Sequence, residues 1–166
     1  MTHERPVFRL PYSLMELTVE IVASVGILCS VIAIVQAWPT LPNSIPLHFG
    51  LSGKADFWSS KGGLTVLPLI SLVLNAWLTW SLRYPHTFNY PWAITEQNAR
   101  RQYQIAHSLL LWMKVEISWL SAFIVWQIIR VAMRETERLN ITFFLAMLFV
   151  VLVTVGFHLY QAYRAR

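Results

Sequence analysis

Four long apolar runs constrain the fold of this chain more than any other feature of its sequence. They cover about residues 17–37, 64–82, 105–129 and 141–160. A helix needs about 20 mainly apolar residues to cross roughly 30 Å of hydrocarbon, because each residue adds about 1.5 Å of rise. Each run meets this requirement, so the sequence predicts an all-α integral membrane bundle of four transmembrane helices, in a single domain over residues 1–166.

The composition and the charge distribution agree with a membrane environment. Apolar residues make up 56% of the 166 residues and charged residues 13%, whereas about 25% of a typical soluble domain is charged. A soluble chain of this length has too little interior to hide so much apolar surface. The Lys and Arg residues lie mostly between the apolar runs, so the net charge of +5 indicates a lipid bilayer as partner and no nucleic acid.

Basic residues near the helix ends predict the orientation. With four spans, both termini share one side with the residues that follow the second run. Seven basic residues fall on that side and five on the side of the first loop. The excess predicts cytoplasmic termini and an outward first loop. The two sets are Arg5, Arg9, Arg83, Arg100, Arg101, Arg164 and Arg166, against Lys54, Lys61, Arg130, Arg134 and Arg138.

The first apolar run has an alternative interpretation as a signal peptide, cleaved after Val35-Gln36-Ala37. The region before the run is long for a signal peptide, and acidic residues including Glu16 and Glu20 accompany the basic ones. These features favour an uncleaved first span.

The loop between the first two spans, residues 38–63, has a recognisable backbone pattern. Pro39, Pro42 and Pro46 exclude a helix and favour extended backbone. Gly50 and Gly53 bracket a predicted turn. The sequence therefore predicts a patterned loop that doubles back on itself.

Two polar residues of this loop, His48 and Asp56, leave alternatives open. They are candidates for metal ligands or for an acid–base pair, although a zinc site needs three or four ligands. The other interpretation is a compact loop tied by its own hydrogen bonds. We therefore predict no metal site.

Two blocks of the sequence resemble a known family. The first loop, with its spaced prolines followed by His-Phe-Gly and then by Gly, Asp, Trp and Lys, resembles the domain-of-unknown-function family 1648, which also forms the N-terminal part of SdpI-type bacteriocin immunity proteins. The matching positions are Pro42, Pro46, His48, Phe49, Gly53, Asp56, Trp58 and Lys61. The second block, residues 88–103, is similar to the segment after the second span of the same family, at Asn89, Pro91, Thr95, Glu96, Asn98, Gln102 and Tyr103.

The resemblance implies a bacterial plasma membrane protein of binding, sensing or immunity type. Its outward first loop would contact a peptide or protein ligand, and loops commonly carry such functions. The candidate binding residues are Pro46, His48, Phe49, Gly53, Asp56, Trp58, Lys61, Asn89, Thr95, Glu96, Asn98 and Tyr103.

The third run is longer and more polar than an ordinary membrane anchor. Thr95 is the predicted N-cap, with Glu96 in the first turn, and the helix can continue to Met133. That helix is about 55 Å long, so its first turns should lie outside the hydrocarbon. Most of its polar residues share one stripe, and two lie on nearly the opposite face: Arg100, Gln104, His107, Lys114, Ser118 and Ser121, against Glu116 and Gln127.

A charged side chain at the centre of a membrane helix costs roughly 2.5–3.5 kcal/mol for insertion, so Lys114 and Glu116 should have partners. Glu16 and Glu20 on the first span are candidates, and Asn75 and His158 add hydrogen-bonding capacity. One hypothesis is a proton or ion path through His107, Lys114, Glu116 and His158. The other is that these residues join the helices to one another.

Three function classes remain. A binding or sensing protein leads, followed by an ion-conducting or transporter-like protein and by a subunit of an oligomer or larger membrane assembly. No known catalytic motif is present, so no enzyme activity and no cofactor are expected. The only cysteine, Cys29, is expected to be a small buried apolar residue, and Asn140-Ile141-Thr142 is expected to cap a helix rather than carry a glycan.

Overall fold

The computed structural model describes residues 5–7 and 13–166, in which four long helices follow one another along the chain. They are α1 (Leu14–Ala37), α2 (Val66–Ser81), α3 (Ala99–Ala132) and α4 (Ile141–Arg164). Short 3-10 turns, Lys61–Thr65 and Pro85–Thr87, precede and follow α2. All four helices are long and apolar enough to cross a membrane. This confirms the predicted bundle of four membrane-spanning helices; Arg9, used for the orientation, lies outside the described residues.

Two helix ends lie beyond the predicted positions. The α1 helix begins at Leu14, because Ser13 and Glu16 form a capping box in which each side chain accepts a backbone N–H from the other residue. At the other end of the chain, α4 continues to Arg164. The α4 helix begins at Ile141, as expected. The Asn140 side chain caps it by accepting a 3.0 Å hydrogen bond from the Phe143 N–H. The predicted helix cap at Asn140 is therefore confirmed.

The start of α3 differs from the prediction by three residues. The helix begins at Ala99, and residues 96–98 form a turn before it. The Thr95 hydroxyl accepts the Asn98 N–H at 3.3 Å, and the Asn98 side chain accepts the Thr95 N–H at 2.8 Å. The predicted N-cap is therefore wrong: the N-cap of α3 is Asn98, and the exchange between Thr95 and Asn98 closes the turn before the helix, which contains Glu96.

The α3 helix is the centre of the bundle. It packs against α1, α2 and α4, whereas α2 and α4 do not pack along each other. The closest approach is to α1, where Gly26 faces Ser118; a Cβ built on Gly26 would lie only 3.0 Å from the Ser118 Cβ. Small residues let membrane helices approach one another in this way.

The expectation that Cys29 is buried is wrong. Its side chain is exposed on the outer surface of α1. In a membrane bundle the outer surface faces lipid, so an apolar residue has no need of the protein interior. The same reasoning explains the many exposed apolar side chains of α4, such as Phe149 and Leu152.

The first loop forms a small sheet that the all-α prediction did not contain. Strands β1 (Ser44–Phe49) and β2 (Ala55–Ser60) pair antiparallel, with Pro46 opposite Trp58. Each strand of a two-stranded sheet has a free edge, which is where proline is tolerated. The predicted extended backbone and turn are confirmed: Gly53 adopts a φ of +74° and donates its N–H to the Gly50 carbonyl at 2.8 Å.

The hairpin is packed onto the bundle rather than suspended from it. Ile45 of β1 is fully buried in a core cluster with Ile34 of α1, Leu64, and Val125 and Ile128 of α3. The connection between α3 and α4 also reaches the turn, where the Leu139 N–H donates to the Gly53 carbonyl at 2.9 Å. The bundle therefore holds the hairpin in one position.

Candidate functional site

The hairpin exposes large apolar side chains. Leu51 at the turn is fully exposed, and Phe57 and Trp58, which are consecutive in β2 and so point to opposite sides of the sheet, are each about half exposed. Ile45 and Pro46 of β1 are buried. We call the exposed apolar side chains of the hairpin, together with the cavity described below, the hairpin face.

The family-matched residues of the first loop have two different placements. His48, Asp56 and Trp58 are exposed. Pro46, Phe49 and Gly53 pack toward the bundle. Lys61 is directed to the end of α1: its ammonium donates to the Trp38 carbonyl at 3.3 Å and lies 4.9 Å from the centre of the Trp38 ring. A ligand approaching from the water would therefore meet the three exposed residues and not the three that pack toward the bundle.

His48 and Asp56 form a pair across the hairpin. The Nδ1 of His48 lies 2.5 Å from an Asp56 carboxylate oxygen, and the two side chains are 68% and 52% exposed. Ion pairs this exposed contribute little to stability, typically about 0–1 kcal/mol. The described residues contain no group of three His, Cys, Asp or Glu side chains arranged to hold a metal. The contact between His48 and Asp56 joins the two strands next to the turn.

A cavity of about 500 Å³ lies between β2 and the α3–α4 connection. Its walls carry three cationic side chains, Lys54, Arg134 and Arg138, with Trp58 at the edge and Glu137 as the acidic residue. Three cations against one carboxylate attract an anionic group. No sequence pattern pointed to this cavity, because Lys54 lies about 80 residues before the two arginines and meets them only in the fold.

The second family-matched block lies at the opposite end of the bundle from the hairpin. Asn98 donates to the Ala93 carbonyl at 3.0 Å, in addition to its exchange with Thr95. Tyr103 is fully buried and donates its hydroxyl to the Pro6 carbonyl at 3.0 Å. Glu96 is exposed. The two blocks therefore do not form one site, and most of the second block shapes the entry into α3.

Residues 84–91 fold over this end of the bundle as a cap. The Arg5 guanidinium donates to the carbonyls of His86 and Phe88, at 3.1 and 2.6 Å, and lies over the Tyr90 ring. Tyr90 donates its hydroxyl to the Pro85 carbonyl at 2.9 Å. Burial, together with the nearby Tyr103, raises the pKa of Tyr90 above its usual range despite Arg5, so this phenol stays neutral and remains a donor.

Of the two partners expected for the membrane-embedded cation Lys114, Glu20 contacts it and Glu16 does not. Lys114 of α3 is 1% exposed, and its ammonium contacts the Glu20 carboxylate of α1 and the Thr79 hydroxyl of α2, the latter at 2.6 Å. One turn earlier along α1, Glu16 lies 3.0 Å from His107. These two pairs join the N-terminal turns of α1 to α3, the central helix.

The other polar residues join helices in the same manner. Asn75 of α2 donates to the Ser118 hydroxyl at 3.0 Å. On the face of α3 toward α4, Glu116 accepts the Thr154 hydroxyl. His158 of α4 contacts the Thr154 carbonyl at 2.8 Å and the Ser108 hydroxyl at 3.2 Å.

The four residues of the predicted proton path therefore do not form one line. His107 and Lys114 face α1, whereas Glu116 and His158 lie at the α3–α4 contact. Each set joins one helix to another, which agrees with the hypothesis that these residues hold the bundle together.

A cleft of about 800 Å³ opens between α2 and α4. Its floor is α3, and the 84–91 cap, which includes Asn89, covers one end. Aromatic residues dominate its walls, and its deepest polar residues, Gln102 and His158, are nearly fully buried. Sequence reasoning noted Asn89 and Gln102 as family matches and His158 as a polar residue, but it did not predict that they share a cavity.

Residues 25–72 match the model of a family described as a domain of unknown function, DUF1648. The match covers the second half of α1, the hairpin and the beginning of α2, whereas the second block, residues 88–103, lies outside it. No curated protein and no solved structure gives a significant match. The chain is thus a multi-pass membrane protein that is similar to the DUF1648 family across its hairpin and the adjoining parts of α1 and α2.

Proposed function

We propose that this protein is a membrane-embedded binding protein of sensing or immunity type, which holds a peptide or protein ligand on its hairpin face. One observation carries the proposal. The hairpin, which is packed onto the bundle, has exposed aromatic side chains next to a cationic cavity. The role is binding rather than catalysis, and it uses no cofactor.

The fixed position of the hairpin supports this proposal. Ile45 is anchored in the core shared by α1 and α3, and the turn is hydrogen-bonded to Leu139. A surface that is ordered before binding loses little conformational freedom when the ligand arrives. The hairpin is therefore better suited to recognition than a mobile loop of the same composition.

The chemistry of the hairpin face indicates the kind of ligand. Trp58 is half exposed at the edge of the cavity, and partly exposed tryptophans and arginines supply much of the energy of protein interfaces. Lys54, Arg134 and Arg138 favour carboxylates. The proposed ligand is a peptide segment with apolar and acidic side chains.

The proposal includes an orientation, with the hairpin on the outer side of a bacterial plasma membrane and both termini in the cytoplasm. The supporting observation is the excess of basic residues on the side of the termini. An immunity or sensing protein would then meet its ligand outside the cell.

Selection from a random peptide display library tests the binding role, with the protein held in lipid nanodiscs and empty nanodiscs as background. We expect enrichment of peptides that combine aromatic or aliphatic residues with Asp or Glu. Trp58→Ala should weaken their binding by at least about tenfold, since a buried anchor costs 2 kcal/mol or more when truncated. Arg138→Ala should weaken the acidic peptides selectively.

Trp77→Ala is the matched control, because Trp77 is 58% exposed and Trp58 is 51% exposed, but Trp77 lies on α2 beside the cleft. Binding should survive this change. The proposal fails if no peptide is enriched over empty nanodiscs, or if the enriched peptides bind the Trp58→Ala and Trp77→Ala variants equally well.

Ion conduction is the second candidate, and one observation favours it. Glu20 and Glu116 each have a buried carboxylate oxygen with no hydrogen-bond partner among the described residues, and membrane-embedded carboxylates commonly serve proton relays. Proteoliposomes with a pH-sensitive dye inside would show proton flux that Glu116→Gln abolishes. Flux equal to that of protein-free vesicles would contradict this candidate.

A further inference from the structure

The cleft between α2 and α4 has the features of a ligand site distinct from the hairpin face. We propose that it binds a neutral membrane lipid with one apolar chain in the cleft and a hydroxyl head that donates a hydrogen bond to Gln102. The site lies at the opposite end of the bundle from the hairpin, so it is independent of the function proposed above.

The open side of the cleft determines where the ligand comes from. Because α2 and α4 do not pack along each other, α3 is exposed between them to the surrounding hydrocarbon. Trp77, Trp80 and Leu159 border this opening and are all substantially exposed. A ligand can therefore enter sideways from the bilayer without crossing water.

The size and lining of the cleft suit an apolar chain. Its volume of about 800 Å³ falls within the usual range of small-molecule sites, about 300–1,000 Å³. Ile105, Leu109 and Met113 form an apolar floor, and Tyr84 and Phe88 belong to the cap. Tyrosine and tryptophan concentrate at the level of lipid headgroups, so the capped end of the cleft corresponds to the head of a lipid.

Gln102 supplies the polar contact at the deep end. Its side chain is 1% exposed, and its amide nitrogen donates to the Ala162 carbonyl at 2.8 Å. Its carbonyl oxygen has no hydrogen-bond partner among the described residues. A buried acceptor without a partner costs free energy, which a hydroxyl donor on a ligand would recover.

The charge of the lining restricts the head group. In the part of the chain that the structure describes, no Asp, Glu, Lys or Arg side chain lines the cleft. A phosphate among these lining residues would meet no Lys or Arg side chain, because Arg5 on the cap donates to the His86 and Phe88 carbonyls; burying an unpaired charge is strongly unfavourable. A neutral hydroxyl-bearing lipid is therefore favoured over a phospholipid.

Photolabelling in phosphatidylcholine nanodiscs tests the proposal. The probe is a monoacylglycerol with a diazirine in its acyl chain, and mass spectrometry locates the labelled residues. We expect saturable labelling of residues that line the cleft, and competition by unlabelled monoacylglycerol. The hydroxyl probe should bind up to about tenfold more tightly than its di-O-methyl ether, and Gln102→Met should remove that preference.

Two substitutions examine the location of the site. Ala106→Phe fills the cleft from its α3 floor, and Leu159→Trp narrows its mouth without touching the floor. Each should reduce saturable labelling at least about tenfold if the chain occupies the cleft. Ala146→Phe places the same side chain as Ala106→Phe on an exposed position of α4 outside the cleft and should leave labelling unchanged.

Circular dichroism identifies any variant that does not fold. If either Ala106→Phe or Leu159→Trp does not fold, labelling of the other variant tests whether the ligand lies in the cleft. Three outcomes would overturn the proposal. The first is labelling that does not saturate and is spread over all lipid-facing helices. The second is unchanged labelling in a folded Ala106→Phe or Leu159→Trp variant. The third is equal saturable labelling by a phosphatidylcholine probe with the same diazirine chain.

Discussion

Lys114 illustrates how single residues stabilise this bundle. Its ammonium is buried among three helices, with the Glu20 carboxylate and the Thr79 hydroxyl as partners. A charge in this position is tolerated because its partners replace the water that it has lost. Removing one member leaves the other charge buried without compensation, which is more costly than the intact pair.

We expect Lys114→Met to lower the free energy of unfolding by up to about 3–5 kcal/mol, because the Glu20 side chain, which is 20% exposed, then keeps an uncompensated and largely buried charge. Unfolding in mixed micelles of increasing sodium dodecyl sulfate measures the change. The double variant Glu20→Gln with Lys114→Met should recover part of the loss. The control is Lys54→Met, at an exposed position of the hairpin turn; a loss equal to that of Lys114→Met would contradict this account.

At the scale of elements, the contact between α1 and α3 depends on small side chains. Ala23, Gly26 and Ser30 lie on the face of α1 that is buried in the bundle. Lipid is as apolar as a leucine side chain, so helices in a bilayer associate through close packing rather than through exclusion of water. A large residue in this seam separates the two helices and disturbs the ion pairs that depend on their spacing.

Gly26→Leu should therefore destabilise the fold by several kcal/mol, since even a Cβ would lie 3.1 Å from the Ser118 carbonyl carbon. Gly156→Leu is the matched control, because a Cβ there meets nothing within 4 Å. It should be neutral or slightly stabilising, given the poor helix propensity of glycine. The same unfolding titration compares the two variants, and equal stability would show that the α1–α3 seam is not tightly packed.

At the scale of the whole molecule, the bundle separates two candidate sites. The hairpin and its cationic cavity lie at one end, whereas the cap and the capped end of the α2–α4 cleft lie at the other. The central helix α3 is 34 residues long, or about 51 Å, so it extends past the hydrocarbon and contributes to both ends. One membrane scaffold therefore presents different chemistry to each side.

Single-cysteine labelling measures this topology in a Cys29→Ala background, which should be tolerated because Cys29 is exposed to lipid. We expect Leu51→Cys to react with a membrane-impermeant maleimide added outside intact cells. Glu96→Cys should react only after the cells are opened. Reaction of both cysteines from the same side would contradict the four-span arrangement, and the reverse pattern would invert the proposed orientation.

The sequence alone predicted the four spans and the turn of the first loop, for local reasons. A span needs only a long apolar run, and a turn needs only suitable residues such as Gly50 and Gly53. The need of Lys114 for a carboxylate was also evident, because a buried charge must be compensated. These predictions depend on the composition of one segment at a time.

The tertiary structure decided which residues meet. It buried Pro46 and left Trp58 half exposed, paired Lys114 with Glu20 rather than Glu16, and brought Lys54 into one cavity with Arg138. It also left α2 and α4 apart, which creates the cleft. These outcomes depend on how segments distant in the chain pack against one another, and in lipid the apolar pattern of a helix does not indicate which face its neighbour will cover.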